Sequence, residues 1–177
     1  MKKPVQQACK IASGIILVCI VLIGFLYGNN DIGVVESNLE ADIRSSQKIK
    51  EDWTVDGSVS DTMAAFISYP RDGTDHTFSV YVNRPGLSFG YFFRGGGDVV
   101  EVEDYIAEYT VEGYQERAFI SMNRQKVEWL EIDDGNSIQV IDIDCNKPFA
   151  IVLPVNAGNI TFYDENGNTV EYWNHPL

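Results

Sequence analysis

Two hydrophobic rhythms divide the chain. From Ile11 to Tyr27 the sequence IASGIILVCIVLIGFLY is apolar on every side of a helix, and Ser13 is its one polar interruption. At a rise of about 1.5 Å per residue these positions reach roughly 26 Å, close to the hydrocarbon thickness of a bilayer. A helix without a polar face leaves no side for water, so the pattern predicts a transmembrane anchor over residues 11–28. From Trp53 onward the period falls to two. HTFSVYVN sends Phe78, Val80 and Val82 to one side and Thr77, Ser79 and Tyr81 to the other, as in a half-buried strand. SIQVIDID alternates as well, with Ile138, Val140 and Asp142 against Gln139, Ile141 and Ile143, and its mixed sides leave the inward face undecided.

The same alternation marks TMAAFISY, LSFGYFF, IAEYTVE, RAFISMN, KVEWLEI, PFAIVLP, NITFYD and TVEYW. The dipeptides Asp56-Gly57, Asp72-Gly73, Pro85-Gly86, Gly95-Gly96, Glu112-Gly113, Asp134-Gly135 and Asn166-Gly167 supply turns between such runs. About ten short strands with tight connections favour antiparallel pairing, because a parallel return needs a long crossover. The expectation is an all-β fold, a single antiparallel sandwich or barrel-like domain behind the N-terminal helix. Residues 1–10 are then a cytoplasmic tail, 11–28 the signal anchor, 29–52 a stalk or short helix, and 53–177 an extracytoplasmic β domain. Within the stalk, Val35, Leu39 and Ile43 are spaced by four, a narrow helical stripe.

Charge gives the orientation. Lys2, Lys3 and Lys10 precede the apolar run, whereas Asp31, Glu36, Glu40 and Asp42 follow it before Arg44, the first cation. The excess of bases on the amino side keeps that side in the cytoplasm. The flank Phe25-Leu26-Tyr27-Gly28 lacks the small residues of a signal-peptide cleavage site. Of 13 Lys and Arg, three lie in the tail; the remaining 10 face all 26 Asp and Glu, a formal charge of −16 from Asp31 onward. Such a surface excludes nucleic acid, whose binding needs bases to neutralise phosphates.

Cys9 and Cys19 belong to the tail and anchor, leaving Cys145 alone outside, so no disulfide staples the domain. A lysine-tipped anchor on a disulfide-free domain suggests a bacterial cell envelope. Asn159-Ile160-Thr161 is a sequon with no further support. Gly24 and Gly28 form a small-x-x-x-small pair at the outer end of the anchor.

Candidate chemistry is thin. In RGGGDVVEVED, Gly95, Gly96 and Gly97 resemble a phosphate loop, yet no lysine or hydroxyl follows, and Asp98, Glu101, Glu103 and Asp104 would repel phosphate. The triplet reads as a corner where a strand turns back. Phe89, Tyr91, Phe92 and Phe93 read as core, or as a stacking row if one face is open. In DENGN, Asp164, Asn166 and Asn168 hold the first, third and fifth places of a calcium loop, but Thr169 and His175 stand where glycine and glutamate are required. Asn166-Gly167 serves better as a two-residue hairpin turn. The surrounding ITFYDENGNTV resembles the terminal hairpin of bacterial β-sandwich modules, eleven residues too generic to imply a function. Asp133-Asp134, and Asp142 with Asp144, bind metal only if the fold gathers them. Cys145 with His76 or His175 makes an adequate nucleophile and base, without a local signature. No residue is therefore assigned a catalytic, cofactor or metal role. The leading expectation is a non-catalytic module that meets the membrane through its helix and binds an envelope protein, peptide or polymer. The alternatives are a membrane-tethered hydrolase and an accessory subunit of a membrane complex.

Overall fold

Strands that are apolar on both sides must be covered on both faces, and this requirement organises the molecule. A computed structural model describes the backbone of residues 3–28, 31–84 and 88–177, with side chains from Ala12 onward. Among the described residues the fold is mostly β, with twelve strands in three sheets of four. The first sheet is the meander β1 (Thr54–Val59), β2 (Met63–Tyr69), β3 (Thr77–Asn83) and β4 (Tyr91–Gly97). The second runs β12 (Tyr172–Pro176), β5 (Ile106–Thr110), β6 (Glu116–Ser121), β9 (Phe149–Pro154). The third runs β11 (Thr169–Val170), β10 (Asn159–Asp164), β7 (Val127–Asp133), β8 (Ile138–Asp142). Helix α1 covers Lys3–Gly28, α2 Leu39–Ser46 after a 3-10 turn at Glu36–Asn38, and α3 Val100–Asp104.

The second sheet is the middle layer. Ala107, Tyr109, Ala118, Ile120 and Ala150 pack against Met63, Ala65, Ile67, Phe78, Val80 and Val82 of the first sheet. The alternate residues Ile106, Phe119, Phe149 and Leu153 pack against Leu130, Ile132, Ile160 and Phe162 of the third. Beside that second core, Arg117 donates to Glu108 at 2.8 Å and Asn174 donates to the other carboxylate oxygen at 2.9 Å, so a mostly buried charge is paired and hydrogen-bonded.

Leu39 and Ile43 of α2 close the outer face of the first sheet over Ala64, Tyr81 and Tyr91. Tyr81 Oη donates to Asp42 at 2.8 Å, tying helix to sheet. Its phenol is pushed well above its ordinary value by burial first and by that carboxylate second.

Several expectations change. Three layers replace a two-layer sandwich, because the middle strands carry apolar residues on both faces. Strand β12 runs parallel to β5, the one parallel pairing among the named strands; it arrives from the third sheet rather than through a hairpin. Both faces of β3 are buried, since α2 covers the side of Tyr81. Asp56-Gly57 lies inside β1, where a Cβ on Gly57 would land on the Ala65 carbonyl. The glycine triplet is strand rather than corner: Gly95, Gly96 and Gly97 pair with Val80, Ser79 and Phe78 after a bulge at Arg94. Only Gly97 of the three has positive φ. A Cβ on Gly95 would meet Leu177 Cδ2 at 2.8 Å, and one on Gly96 would meet Gln47 Nε2 at 2.8 Å, so close approach accounts for these two glycines. The Pro85-Gly86 turn and Leu87 lie outside the described residues, as do Lys2 and the side chains of Lys3, Cys9 and Lys10.

The N-terminal expectation also meets a finding. Among the described residues no helix is long and apolar enough to cross a membrane. From Ala12 to Gly28 the side chains of α1 are almost all exposed, with Ile, Leu, Val and Phe on every side.

Candidate binding face on the third sheet

The third sheet has one face on the core and one toward solvent, and its outer face holds residues whose exposure the core does not explain. Its register sets them in rows. Trp129 lies between Tyr163 and Asp142, Glu131 between Thr161 and Val140, and Asp133 between Asn159 and Ile138. Because Leu130, Ile132, Ile160 and Phe162 point inward, their alternate neighbours point out. Trp129 and Tyr163 stack with centroids 5.2 Å apart and planes within 12°. Tyr163 Oη donates to Glu131 at 3.2 Å, and the phenol is raised above its ordinary value by desolvation and then by that carboxylate. Beside this pair Ile138 is 61% exposed and Val140 54%.

Strand β8 is also an edge. Asp134 donates its N–H to Ser137 at 3.3 Å and Ile143 to Glu128 at 2.7 Å, which fixes the phase of the ladder. Antiparallel pairs alternate between bonded and non-bonded, so Gln139 and Ile141 face β7 with their backbone groups while Ile138, Val140 and Asp142 turn N–H and C=O outward. The outward amides and the outward side chains therefore belong to the same residues. The other long edges are protected: β1 uses Ser58 Oγ to accept the Val152 N–H of β9 at 2.8 Å, and β12 ends in Pro176 with Leu177 against Gly95 of β4. Neither β7, β8, β10 nor β11 contains Lys or Arg, so this face is acidic as well as apolar.

Elsewhere the structure scatters the candidate chemistry. His76 is buried, with Nδ1 3.0 Å from Glu103 and Nε2 3.2 Å from the Val99 carbonyl oxygen. His175 sits on β12 with its ring 5.7 Å from Tyr109. Cys145 is half-buried in the β8–β9 loop, and Asn146 Nδ2 lies 3.5 Å from its sulfur. Among the described residues none of these three bonds another. Asp164 accepts the N–H groups of Asn166 at 2.9 Å and Asn168 at 2.8 Å and the Asn168 side chain, which holds its carboxyl below the usual range. The hairpin there has three residues, Glu165 to Gly167, closed by Asp164 N–H to Asn168 O at 2.9 Å. Asp134 likewise caps its own turn through Asn136 and Ser137, and Asp144 pairs with Lys147 at 2.8 Å. Among the described residues no group of three or more His, Cys, Asp or Glu side chains is placed to hold a metal ion. Of the aromatic row, Tyr91 and Phe92 are buried, whereas Phe89 and Phe93 are exposed; Gly90 at φ +85° interrupts the alternation. Gly24 and Gly28 have open space around them.

Compared with known proteins, the chain matches no family, no curated protein and no solved structure. The outer face of the third sheet was not anticipated from the sequence, although the signal is there. KVEWLEI puts Trp129 on the side of Glu131, and ITFYD puts Tyr163 on the side of Thr161, aromatic rings in the polar phase of their strands.

Proposed function

We propose that the chain is a membrane-anchored, extracytoplasmic, non-catalytic binding module of a bacterial cell envelope, and that its third sheet takes up an extended cationic segment of another envelope protein along β8. The observation that carries this reading is the coincidence, at Ile138, Val140 and Asp142, of backbone groups without a strand partner among the described residues and an exposed apolar and acidic face. An added strand would satisfy the outward N–H and C=O groups, each hydrogen bond contributing about 0.5–1.5 kcal/mol. Five residues of β8 span roughly 17 Å, enough to align a segment of five or six residues. Bases on the outer side of that segment would meet Asp142, Glu131 and Asp133; apolar residues on its inner side would meet half-buried Ile141.

The test is a titration of the full chain, in non-ionic micelles, with a peptide of alternating lysine and valine and with its glutamate counterpart. The lysine peptide is expected to bind and the glutamate peptide not. Val140→Pro removes an N–H that β7 does not use and is expected to weaken binding at least about tenfold while the fold persists, since edge strands tolerate proline. Equal binding of both peptides, or unchanged affinity in Val140→Pro, defeats the reading.

The anchoring half of the proposal is supported by the continuous helix Lys3–Gly28 and by apolar side chains exposed all round it. The stretch Ala12–Gly28 falls a few ångströms short of a typical hydrocarbon core of about 30 Å, a mismatch that Ile11 and modest bilayer thinning absorb. Its check is labelling of Cys145 by a membrane-impermeant maleimide in intact spheroplasts, compared with a Cys145→Ser control. Labelling only after lysis would place the domain inside.

A further inference from the structure

One end of the molecule gathers several of its few cations. The β2–β3 turn, the β6–β7 turn and the β8–β9 loop enclose a cavity of about 280 Å³ lined by Arg71, Asp72, Asn123, Arg124, Lys126 and Asn146, among others. Three cations thus meet in one place, in a stretch that carries only 10 against 26 acids.

These cations are set up unequally, and the inequality is informative. Arg124 is fixed from behind: Nη2 and Nε reach Glu103 Oε1 at 2.7 and 3.1 Å, and Nη2 also donates to the Gly73 carbonyl. Glu103 is held in turn by His76. This leaves Arg124 Nη1 without a hydrogen-bond partner among the described residues, on a guanidinium held by Glu103 and the Gly73 carbonyl. Arg71 makes no hydrogen bond or ion pair among the described residues. Lys126 reaches only Asn146 Oδ1, at 3.4 Å. It adopts φ +60°, a left-handed conformation that costs a lysine energy, in a turn shaped by Asn123 at φ +55°. Asn123 spends its side chain on that turn, with Nδ2 donating to Val127 O and Asp144 O and Oδ1 accepting the Val127 N–H.

The neighbouring carboxylates are already engaged. Asp72 Oδ1 accepts from Thr74 N–H at 3.2 Å and Thr74 Oγ1 at 2.8 Å and keeps its charge; Asp144 is balanced by Lys147 and accepts the Asn146 N–H. Arg71, Arg124 and Lys126 then stand against Asp72 and Glu103, which leaves one net positive charge among these groups. The surrounding field of −16 does not cancel it, because at physiological salt exposed charges are screened over about 8 Å and direct contacts decide.

We propose that this cavity binds one phosphate-class oxyanion, gripped by Arg71 and Arg124 through guanidinium forks and by Lys126 as a point charge. The volume admits a phosphate with a small substituent, so the group could arrive as free phosphate or as the phosphodiester of an envelope polymer. This inference is independent of the strand-addition reading, since the two sites lie on different elements and carry opposite charge.

The test is side-chain ¹⁵N NMR of the full chain in non-ionic micelles, titrated with inorganic phosphate, with a short poly(glycerol phosphate), and with sodium chloride matched for ionic strength. Saturable shifts of the Arg124 and Lys126 signals with phosphate and not with chloride are expected. Tighter binding of the oligomer assigns the ligand to a polymer, and equal binding per phosphate assigns it to the free anion. The double variant Arg71→Gln/Lys126→Gln is expected to weaken binding at least tenfold, whereas Arg94→Gln on β4 leaves it unchanged. Should the double variant lose its fold, Lys126→Gly, which suits the left-handed φ, replaces it, with a several-fold loss expected. Shifts that track chloride, or affinity retained without Arg71 and Lys126, overturn the proposal.

Discussion

Ile43 is the position at which the docking of α2 can be measured. Its side chain is fully buried, at 0% exposure, between α2 and the outer face of the first sheet, beside Ala64, Tyr81 and Tyr91. Ile43→Ala removes three buried carbons and leaves a cavity that the sheet, held from its other side by the middle layer, cannot fill by collapsing. Deletions of this kind cost about 2–5 kcal/mol, and rigid surroundings place this one at about 3. For a chain of this length that is a fall in melting temperature of about 6–12 °C. Val35→Ala, eight residues earlier and 53% exposed, is the control and is expected to change little. The assay is thermal and guanidinium unfolding of the full chain in non-ionic micelles, followed by tryptophan fluorescence. Trp53 is a local reporter, because its carbonyl accepts from Arg44 of α2 at 3.2 Å. If the two variants melt within about 1 °C of each other, the segment is a tether rather than part of the fold, and the packing argument fails.

Two further predictions concern glycines and acid. Gly57→Ala drives a methyl into the Ala65 carbonyl within the β1–β2 ladder, where backbone must move, and is expected to destabilise by about 2–3 kcal/mol; Gly95→Ala meets only the flexible end of Leu177 and is expected to cost less than about 1. Denaturant midpoints decide between them, and equal losses would contradict the distinction. The Arg124 guanidinium, followed by the His76 contacts, holds the Glu103 carboxyl below its ordinary range. A carboxyl depressed in the folded state adds stability that is present above the unfolded pKa, about 4.3, and disappears as pH falls through the lower folded value. Glu103→Gln is therefore expected to flatten the stability curve below about pH 4.5, and an unchanged acid limb in urea titrations would count against the cluster.

How far the sequence disclosed all this follows from what each residue touches. Ten period-two runs fall on eleven of the strands, TVEYW covering both β11 and the start of β12, because alternation is a local consequence of the pleat. The six residues Thr54–Val59 do not read as strand because Asp56-Gly57 is a turn signal, and only the partner β2 reveals that Gly57 is there for close approach. The same applies to Gly95 and Gly96, whose neighbours Leu177 and Gln47 are distant in sequence. SIQVIDID could not choose its inward face from its own residues. The choice was made by the third sheet, which turns Ile141 and Ile143 to the core and leaves Ile138 and Val140 outside. The exposed outer face of the third sheet was legible only as aromatic residues in the wrong phase, and the cation-lined cavity not at all, since Arg71 comes from the β2–β3 turn and Arg124 and Lys126 from the β6–β7 turn.

The central claim is that β8 offers a free, phased edge to an incoming strand, and residue-resolved amide hydrogen exchange tests it most directly. In the full chain alone, Ile138, Val140 and Asp142 are expected to exchange rapidly while Gln139 and Ile141 are protected by β7. Addition of the alternating lysine–valine peptide is expected to slow the first three and leave the other two as they were. Uniform exchange along β8, or protection by the peptide that ignores this alternation, would contradict the account.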